Sequence, residues 1–321
     1  MKKIKKKLLL SGGYGFLGNM IFKKLKSEFD VFRFRSSEFD LRDSIQTKNL
    51  FNQINPNYVV HAAARLGGIG DNQKNPAHYF YDNILMGVNV LNFSQKFNVE
   101  KTINIGTVCS YPLNTPKPFK EEFLWSGLPE PTNASYGLAK KSVIDYSFSL
   151  HKQYKFNCVN LLLTNLYGTN DDFREETSHV IPAQIRKINY AIENNIDEIV
   201  VWGDGSPTRD FLNIKDAANS VLLSLQSNYN DPMPINIASG HEISIKELVN
   251  ILVKLMYFKG KVKYDLSKPN GQPYRLLDIS RAKKILDYKP TVKLEEGLED
   301  TINYFLRNKN IIKNLKKKYD D

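Results

Sequence analysis

The pattern of apolar and polar positions alternates between two periods in the first half of the chain. Short apolar runs predict buried strands, and segments with helical spacing separate them. The predicted strands are residues 8–11, 31–34, 58–62, 102–107 and 158–164. The predicted helices are residues 16–29, 44–53, 79–97 and 135–154. Apolar strands separated by helices are typical of a parallel sheet covered on both faces, so we expect a doubly wound α/β fold.

The alternation of predicted strands and helices changes after Tyr167, where a polar loop interrupts it. The pattern then predicts strands at 198–202 and 234–238 and helices at 180–194, 215–226, 244–258 and 294–306. We therefore expect two lobes, a Rossmann-type domain and a smaller, mostly C-terminal α/β lobe. The first comprises residues 1–165 plus 212–238, and the second comprises residues 166–211 plus 239–321.

The composition is ordinary for a globular protein, with 321 residues, 41% hydrophobic and 25% charged. The net charge of +11 is compatible with an anionic partner, such as nucleic acid, a membrane surface or a phosphorylated small molecule. Much of that charge lies in two terminal lysine clusters, residues 2–7 and 313–318, which we interpret as solvated ends. No basic and aromatic residues gather on one predicted face, so we expect no nucleic-acid binding.

The localisation signals favour a cytoplasmic protein. The apolar run after the basic start is only three residues long, whereas a secretory core has about 7–15. No stretch approaches the roughly 20 apolar residues of a membrane span, so we expect no membrane association. The two cysteines, Cys109 and Cys158, argue against a disulfide framework.

Three glycines lie between the first predicted strand and the first predicted helix. Gly12, Gly15 and Gly18 form G-x-x-G-x-x-G. A tight turn, the approach of a pyrophosphate to the backbone, and close packing of helix on strand each favour glycine. The free amides and the positive end of the helix dipole then attract phosphate. The sequence therefore predicts a dinucleotide site.

The end of the second strand indicates which dinucleotide is bound. NAD enzymes usually carry an acidic residue there, but this chain has Arg33 and Arg35. A guanidinium suits a 2′-phosphate, which favours NADP(H). The alternative is a pair of exposed arginines, with Glu38 or Asp40 near the ribose.

A tyrosine and a lysine share one predicted helix face. Tyr136 and Lys140 are four residues apart in the segment NASYGLAKK. A phenol has a pKa of about 10, and a nearby ammonium stabilises the phenolate and draws that pKa toward neutrality. Thr107, at the end of the fourth strand, offers a hydroxyl. If the strand continues to Cys109, the thiol and that hydroxyl point to the same face.

These features together resemble the extended short-chain dehydrogenase/reductase family. The resemblance rests on the glycine loop, VVHAAA, a hydroxyl residue after the fourth strand, and Y-x-x-x-K. More narrowly, the chain is similar to the GDP-L-fucose synthases, which are 3,5-epimerase/4-reductases. That similarity is carried by ARLGGIGDN, TVCSYP, EPTNASYGLAK, TNLYGTNDDF, SHVIPA, VVWGDGSPTRDFL and SKPNGQPYRLLDISRAK.

The resemblance implies roles for five residues. Tyr136 would give a proton to the C4 oxygen, and Lys140 would hold the nicotinamide ribose. Thr107 would stand in for the family's serine, which keeps the hydroxyl and adds a methyl group. Cys109 and His179 would epimerise C3 and C5 as an acid and a base, because a thiol and an imidazole can titrate near neutral pH. The alternatives are that Cys109 packs as a small hydrophobe and that His179 is a polar loop residue.

The resemblance also implies the binding residues, and no metal. The first lobe would bind NADP(H) and the second the nucleotide sugar. The expected cofactor contacts are Gly12, Gly15, Phe16, Leu17, Gly18, Arg35, Asp40, Leu41, Ala63, Lys140, Asn165 and His179. The expected substrate contacts are Arg186, Lys187, Trp202, Arg209 and Lys283. Alternatively, Arg209 pairs with Asp204 or Asp210, and Trp202 packs within the second lobe.

The expected protein is a homodimeric, NADPH-dependent reductase of a GDP-4-keto sugar. GDP-4-keto-6-deoxymannose is the leading substrate, with epimerisation giving GDP-L-fucose. One alternative is a C4-reductase alone, acting on a related hexose or a heptose. Another is a non-catalytic sensor of NADP(H), which the presence of Tyr136 and Lys140 argues against. A departure from the family is Tyr14, at a loop position often held by a basic residue, which leaves more of the 2′-phosphate contact to Arg35.

Overall fold

The computed structural model describes residues 5–313 except Glu176 and Pro269. Of the two terminal lysine clusters, residues 5–7 are described and exposed. Residues 2–4 and 314–318 lie outside the described residues, so the interpretation of those clusters as solvated ends stays a prediction.

Ten elements form the first half of the chain. They are β1 (Lys7–Ser11), α1 (Phe16–Leu25), β2 (Asp30–Arg33), α2 (Ser44–Ile54), β3 (Tyr58–His61), α3 (Ile69–Lys74), α4 (Pro76–Lys96), β4 (Lys101–Thr107), α5 (Ala134–Tyr154) and β5 (Cys158–Leu163). All five strands and four helices expected from the pattern are present. The short α3 was not expected, because it lies in a glycine-containing stretch that reads as loop.

Twelve elements follow in the second half. They are β6 (Asn165–Tyr167), α6 (Val180–Glu193), β7 (Glu198–Trp202), β8 (Thr208–Asn213), α7 (Ile214–Gln226), β9 (Ile235–Ile237), β10 (Glu242–Ser244), α8 (Ile245–Leu255), β11 (Lys261–Asp265), β12 (Tyr274–Arg275), α9 (Ser280–Leu286) and α10 (Leu294–Lys313). The pattern missed α9 and five of these strands. Most of the missed strands are too short to show a period, and β8 carries Arg209 and Asp210 where a buried strand is normally apolar.

The main sheet has six parallel strands in the order β2-β1-β3-β4-β5-β9. The expected doubly wound fold is thus confirmed. The chain passes from β1 to β2 on one side and then returns to β3 on the other, so the topological switch lies between β1 and β3. Ligands of open α/β sheets bind beyond the carboxyl ends of the strands at such a switch.

The second half contributes smaller sheets and a separate core. β8 pairs with β10, β12 and β6, and β7 pairs with β11. One cluster of buried apolar residues lies among α6, α8, α10 and these strands. Three further clusters surround the main sheet. The expected lobe boundaries stay a prediction.

The segment after β4 departs from the extended geometry that the sequence suggested. The strand ends at Thr107, and residues Val108–Ser110 form a 3₁₀ turn, so the condition that the strand continues to Cys109 is not met. The Thr107 hydroxyl ends the strand by accepting a hydrogen bond from the Cys109 amide at 3.2 Å. Helix α5 packs directly on the turn, and Ser110 Oγ donates to the Gly137 carbonyl at 3.1 Å.

This packing generates a prediction about Gly137. A Cβ added there would collide with the Cys109 carbonyl oxygen, whereas one added at Gly70 in α3 would meet nothing within 4 Å. Gly137→Ala should lower the free energy of unfolding by about 1–3 kcal/mol, as overpacking does. Gly70→Ala is the matched control and should be neutral or slightly stabilising. Urea denaturation of both variants tests this, and equal midpoints would contradict it.

Candidate active site

The glycine loop after β1 is shaped by backbone contacts. Gly12 has φ +66°, and a Cβ there would lie 2.8 Å from the Ala63 backbone, just beyond β3. A Cβ on Gly18 would collide with the Gly12 carbonyl oxygen. These two glycines bring β1, β3 and α1 together at the switch point, so larger residues would force them apart.

The first turn of α1 faces open space. Gly15 is its N-cap and carries no capping side chain, and the amides of Phe16, Leu17 and Gly18 have no acceptor within the helix. A Cβ on Gly15 would meet only the Gly12 carbonyl oxygen, at 3.2 Å. Helix-terminal amides without an intrahelical acceptor, a helix dipole and a glycine at the N-cap fit a dinucleotide pyrophosphate.

The two arginines after β2 have different surroundings. Arg33 is half-buried, with its guanidinium 3.6 Å from the Phe22 ring centre and 3.3 Å from the Gly13 carbonyl oxygen. Arg35 is exposed and lies 4.4 Å from the ring centre of Tyr14. Arg33 therefore supports the loop. Arg35, with no carboxylate in ion-pair range among the described residues, can reach a ligand.

The other expected cofactor contacts lie at the same edge of the sheet. Asp40 forms an ion pair with Arg42 at 2.7 Å, which holds the carboxylate and lowers its pKa. Leu41 is buried in the core beneath α2. Ala63 donates its amide to Ser11 Oγ at 3.2 Å. Asn165, at the start of β6, donates to the Asp210 carbonyl at 3.1 Å and links the main sheet to β8.

Tyr136 and Lys140 are both buried on α5, with exposures of 8% and 3%. Burial raises the pKa of Tyr136, the charge of Cys109 raises it further, and a hydrogen bond with Thr107 lowers it. The sequence predicts that the ammonium draws this pKa toward neutrality, whereas in the structure desolvation of the phenolate is the largest influence and raises the pKa. Tyr136 is thus a protonated donor at neutral pH.

Lys140 remains a cation in a buried environment. Burial lowers its pKa to about 8, which leaves the ammonium mostly protonated at neutral pH. Burial lowers the pKa of His61, the last residue of β3, and the charge of Lys140 lowers it further. His61 Nδ1 contacts Ser11 Oγ at 2.9 Å. A neutral imidazole beside Lys140 avoids a second buried positive charge.

Cys109 lies beside two arginines that neighbouring strands bring together. Arg275 of β12 and Arg209 of β8 are directly opposite in the parallel register. Arg275 Nη1 is 3.7 Å from Cys109 Sγ. Burial and the charge of Arg275 lower the pKa of Arg209 to about 9, and the charge of Cys109 opposes that shift. Because a guanidinium stays protonated, the two desolvated cations create a strong site for an anion.

The alternative partners for Arg209 are otherwise engaged. Asp210 accepts from the Ser239 and Gly240 amides, both at 2.9 Å, and Asp204 accepts from Ser206. Arg209 itself donates to the Thr208 carbonyl at 2.7 Å. Within the described ranges, no carboxylate lies in ion-pair distance of Arg209. Its charge is therefore available to a ligand.

The remaining expected residues lie around α6 and α9. His179 is the exposed N-cap residue of α6, and Arg186 of the same helix pairs with Glu175 at 3.0 Å. Lys187 donates to the Val200 carbonyl at 3.0 Å. Lys283 is exposed on α9. The contacts above join Thr107, Tyr136, Cys109 and Arg209 into one cluster.

Trp202 does not pack into the second core. It is 63% exposed at the end of β7, and the ammonium groups of Lys187 and Lys268 lie 5.8 and 5.6 Å from its ring centre. An exposed indole flanked by two cations fits a stacked base or an anionic group.

Two residues of the cluster were missed by sequence reasoning. Arg275 lies within a motif that was noted, but its place opposite Arg209 depends on strand pairing that the pattern does not reveal. Tyr79 of α4 packs edge-on against Tyr136, with ring centres 6.5 Å apart, and donates to Asp71 at 2.5 Å. An aromatic residue in a long helix gives no signal of such a role.

Two features are absent from the described residues, a metal-binding cluster and a membrane-spanning helix. No set of three or more His, Cys, Asp or Glu side chains there is arranged to hold a metal ion. Within those same residues, none of the helices has the length and apolar character required to cross a membrane.

Comparison with known proteins gives consistent matches. Residues 8–238 match the model of the NAD dependent epimerase/dehydratase family. GDP-L-fucose synthase 1 of Arabidopsis thaliana is 35% identical over 94% of both chains. GDP-L-fucose synthase of Escherichia coli is 34% identical over 95% of this chain and 98% of its own. The structure of a GDP-mannoheptose C4 reductase from Campylobacter jejuni with NADP bound is similar to this one, with a TM-score of 0.86 and 27% sequence identity. The match covers 95% of this chain and 100% of the reductase.

The surroundings of Arg35 generate a prediction about cofactor choice. Arg35→Ala should weaken NADPH binding by about 1–3 kcal/mol, the size of a lost charge-assisted contact, and leave NADH binding nearly unchanged. Arg33→Met is the matched control. It removes a guanidinium that supports the loop, so it should weaken both cofactors alike. Fluorescence titration with each cofactor measures this, and an equal loss for Arg35→Ala would contradict the assignment.

Proposed function

The chain belongs to the NAD dependent epimerase/dehydratase family, and we propose that it reduces the C4 ketone of a GDP-4-keto sugar with NADPH. The leading substrate is GDP-4-keto-6-deoxymannose, and epimerisation at C3 and C5 makes the product GDP-L-fucose. The similarity to GDP-L-fucose synthases over nearly the whole chain supports this substrate. The observation that carries the chemistry is the buried Tyr136, hydrogen-bonded to Thr107, beside Cys109.

The reduction requires a proton on the oxygen that gains the negative charge. When bound, NADPH supplies the hydride that C4 accepts. Tyr136 donates the proton, since its raised pKa keeps the phenol protonated until an alkoxide forms next to it. Thr107 orients the phenol through its hydrogen bond, and the Lys140 ammonium stabilises the phenolate that remains.

The epimerisation uses the acidity of carbons that flank a ketone. Loss of a proton from C3 or C5 leaves a carbanion that delocalises onto the C4 oxygen as an enolate. Cys109 and His179 would supply the base on one face and the acid on the other. The guanidiniums of Arg209 and Arg275 place positive charge beside Cys109, where the enolate would form.

The nucleotide half of the substrate needs cations and a stacking surface. Arg209 has no carboxylate partner among the described residues and is suited to bind the diphosphate. Trp202, between Lys187 and Lys268, offers an exposed ring to the guanine base. We propose Lys187 as a further contact to the nucleotide. Arg186 is the weaker candidate for such a contact, because it already pairs with Glu175.

A second candidate is C4 reduction without epimerisation, on a related hexose or a heptose. It is supported by the similarity to a GDP-mannoheptose C4 reductase, whose fold superposes with a TM-score of 0.86. The same Tyr136 and Lys140 serve both candidates. They differ in whether hydrogens at C3 and C5 exchange with solvent.

We also propose a cytoplasmic homodimer. Both cysteines are free thiols, which suits a reducing compartment. Two large apolar side chains of α4, Phe80 and Tyr81, are exposed and offer a surface for a second copy. Light scattering at two protein concentrations tests the assembly.

Removal of the phenol hydroxyl should stop the reaction. Tyr136→Phe keeps the ring that packs on Tyr79 and removes the proton donor, so kcat should fall by at least about a hundredfold. NADPH and GDP-sugar affinity should change little. Single-turnover oxidation of NADPH at 340 nm measures the rate, and Tyr79→Phe controls for loss of a hydroxyl at the ring contact. Residual turnover within tenfold of wild type would contradict the role.

Replacement of the thiol should separate the two reactions. With Cys109→Ser, deuterium entry from D₂O at C3 and C5 should slow more than C4 reduction, because the reactions use different proton carriers. NMR of the product measures both. If Cys109 only packs against the sugar, both reactions will decline together. A wild-type enzyme that reduces C4 without deuterium at C3 or C5 would establish the second candidate.

A further inference from the structure

A buried carboxylate on α4 joins two loops at the carboxyl edge of the main sheet. Asp82 is 5% exposed, and each of its oxygens accepts from a different arginine. Arg65 Nη1, from the loop after β3, lies 2.8 Å from Asp82 Oδ2. Arg42 Nη1, from the loop after β2, lies 3.3 Å from Asp82 Oδ1. One side chain of α4 thus holds guanidiniums from both loops.

The strand order shows why these two loops matter for a cofactor. β1 lies between β2 and β3 in the parallel sheet, so the glycine loop after β1 lies between the loops after β2 and β3. The two outer loops start two strand spacings apart, which is about 10 Å. A dinucleotide that rests on the glycine loop therefore has one of these loops on each side.

Two asparagines of α4 bind the backbone of the same loops. Asn83 Oδ1 accepts from the Arg65 amide at 3.0 Å, and Asn83 Nδ2 donates to the Arg65 carbonyl at 3.2 Å. Asn89 Nδ2 donates to the carbonyls of Leu41 and Arg42, at 2.8 and 3.2 Å. Helix α4 is therefore the common support of both loops.

The supported loops carry four of the expected cofactor contacts. Arg35, Asp40 and Leu41 lie in the loop after β2, and Ala63 lies in the loop after β3. Arg42 links the support to this set, because its Nε and Nη2 also donate to Asp40, at 3.0 and 2.7 Å. Arg35 is the expected contact of the 2′-phosphate, which is on the adenosine ribose. The loop after β2 thus belongs to the adenosine half of the cofactor site.

We propose that Asp82 is a positioning residue of the NADP(H) site, which fixes the loop after β2 relative to the loop after β3 and so preforms the surface for the adenosine half of the cofactor. This inference rests on the proposed function. The charge of Asp82 matters as well as its shape, because Arg42 and Arg65 would repel each other without it. Cofactor binding would then have to order both loops, which lowers the affinity.

Titration calorimetry with 2′,5′-ADP tests the proposal, because this probe is the adenosine half of NADP without the nicotinamide. Asp82→Asn keeps the size of the side chain and removes its charge. The Kd for 2′,5′-ADP should rise about tenfold, the size of effect expected when charge-assisted hydrogen bonds no longer hold the surface in place. The Kd for NADPH should rise by the same factor, and the Kd for GDP should not change. A rise for NADPH alone would overturn the proposal.

Asp216→Asn is the matched control for a purely structural effect. Asp216, on α7, is 3% exposed and accepts from the Thr291 and Val292 amides, both at 3.0 Å. Both variants should unfold at a lower urea concentration than wild type. Only Asp82→Asn should lose affinity for 2′,5′-ADP when the folded proteins are compared. Equal losses of affinity in the two variants would overturn the proposal.

A double-mutant cycle tests the route through Arg42. Arg42→Met alone should also weaken 2′,5′-ADP binding. The double variant with Asp82→Asn should bind little more weakly than Asp82→Asn alone, because both changes remove the same contact. Fully additive losses would overturn the proposal.

A second variant keeps the test decisive if Asp82→Asn does not fold. Asn89→Ala removes the bonds from α4 to the loop after β2, and an unchanged Kd for 2′,5′-ADP in that variant would overturn the proposal. The wild-type affinity for 2′,5′-ADP tests the proposed use of NADPH, whereas the ratio between variants tests Asp82. Failure of the inference is therefore distinguishable from failure of the proposed function.

Discussion

The close approach of helix α5 to the turn after β4 is the contact on which the rest of the site depends. Gly137 has no side chain, so the helix can lie against the Cys109 carbonyl, and Ser110 fixes the distance by bonding to the Gly137 carbonyl. That approach brings Tyr136 to Thr107 and turns Cys109 toward the strands of the second half. One residue of larger size would separate the phenol from the hydroxyl and the thiol.

Burial then determines the protonation of the side chains that this contact brings together. Burial keeps Tyr136 protonated and lowers the pKa of Lys140 to about 8. The same burial concentrates the positive charges of Arg209 and Arg275 next to Cys109. The neutral Tyr136 phenol thus lies on the main-sheet side of the site, and the positively charged Arg209 and Arg275 lie on the other side.

Two arginines near the glycine loop, Arg33 and Arg35, have different surroundings. Arg33 and Arg35 are two positions apart and read alike in the sequence, yet Arg33 is fixed against Phe22 and the Gly13 carbonyl. Arg35 remains exposed and lies 4.4 Å from the Tyr14 ring centre, on a ring that Arg33 also contacts at 4.2 Å. The ring supports the guanidinium without competing for phosphate. Of the two arginines, Arg35 is the one that stays exposed.

The sequence by itself determined the doubly wound fold, the glycine loop and the Tyr136–Lys140 pair, because each is a local pattern of spacing along one strand, turn or helix. It did not determine the short strands β8 and β12, since two to six residues with charged side chains carry no readable period. Only tertiary structure, through the register that sets Arg275 opposite Arg209, decided what surrounds Cys109. It also decided that Tyr136 is protonated, because desolvation depends on neighbours distant in the chain.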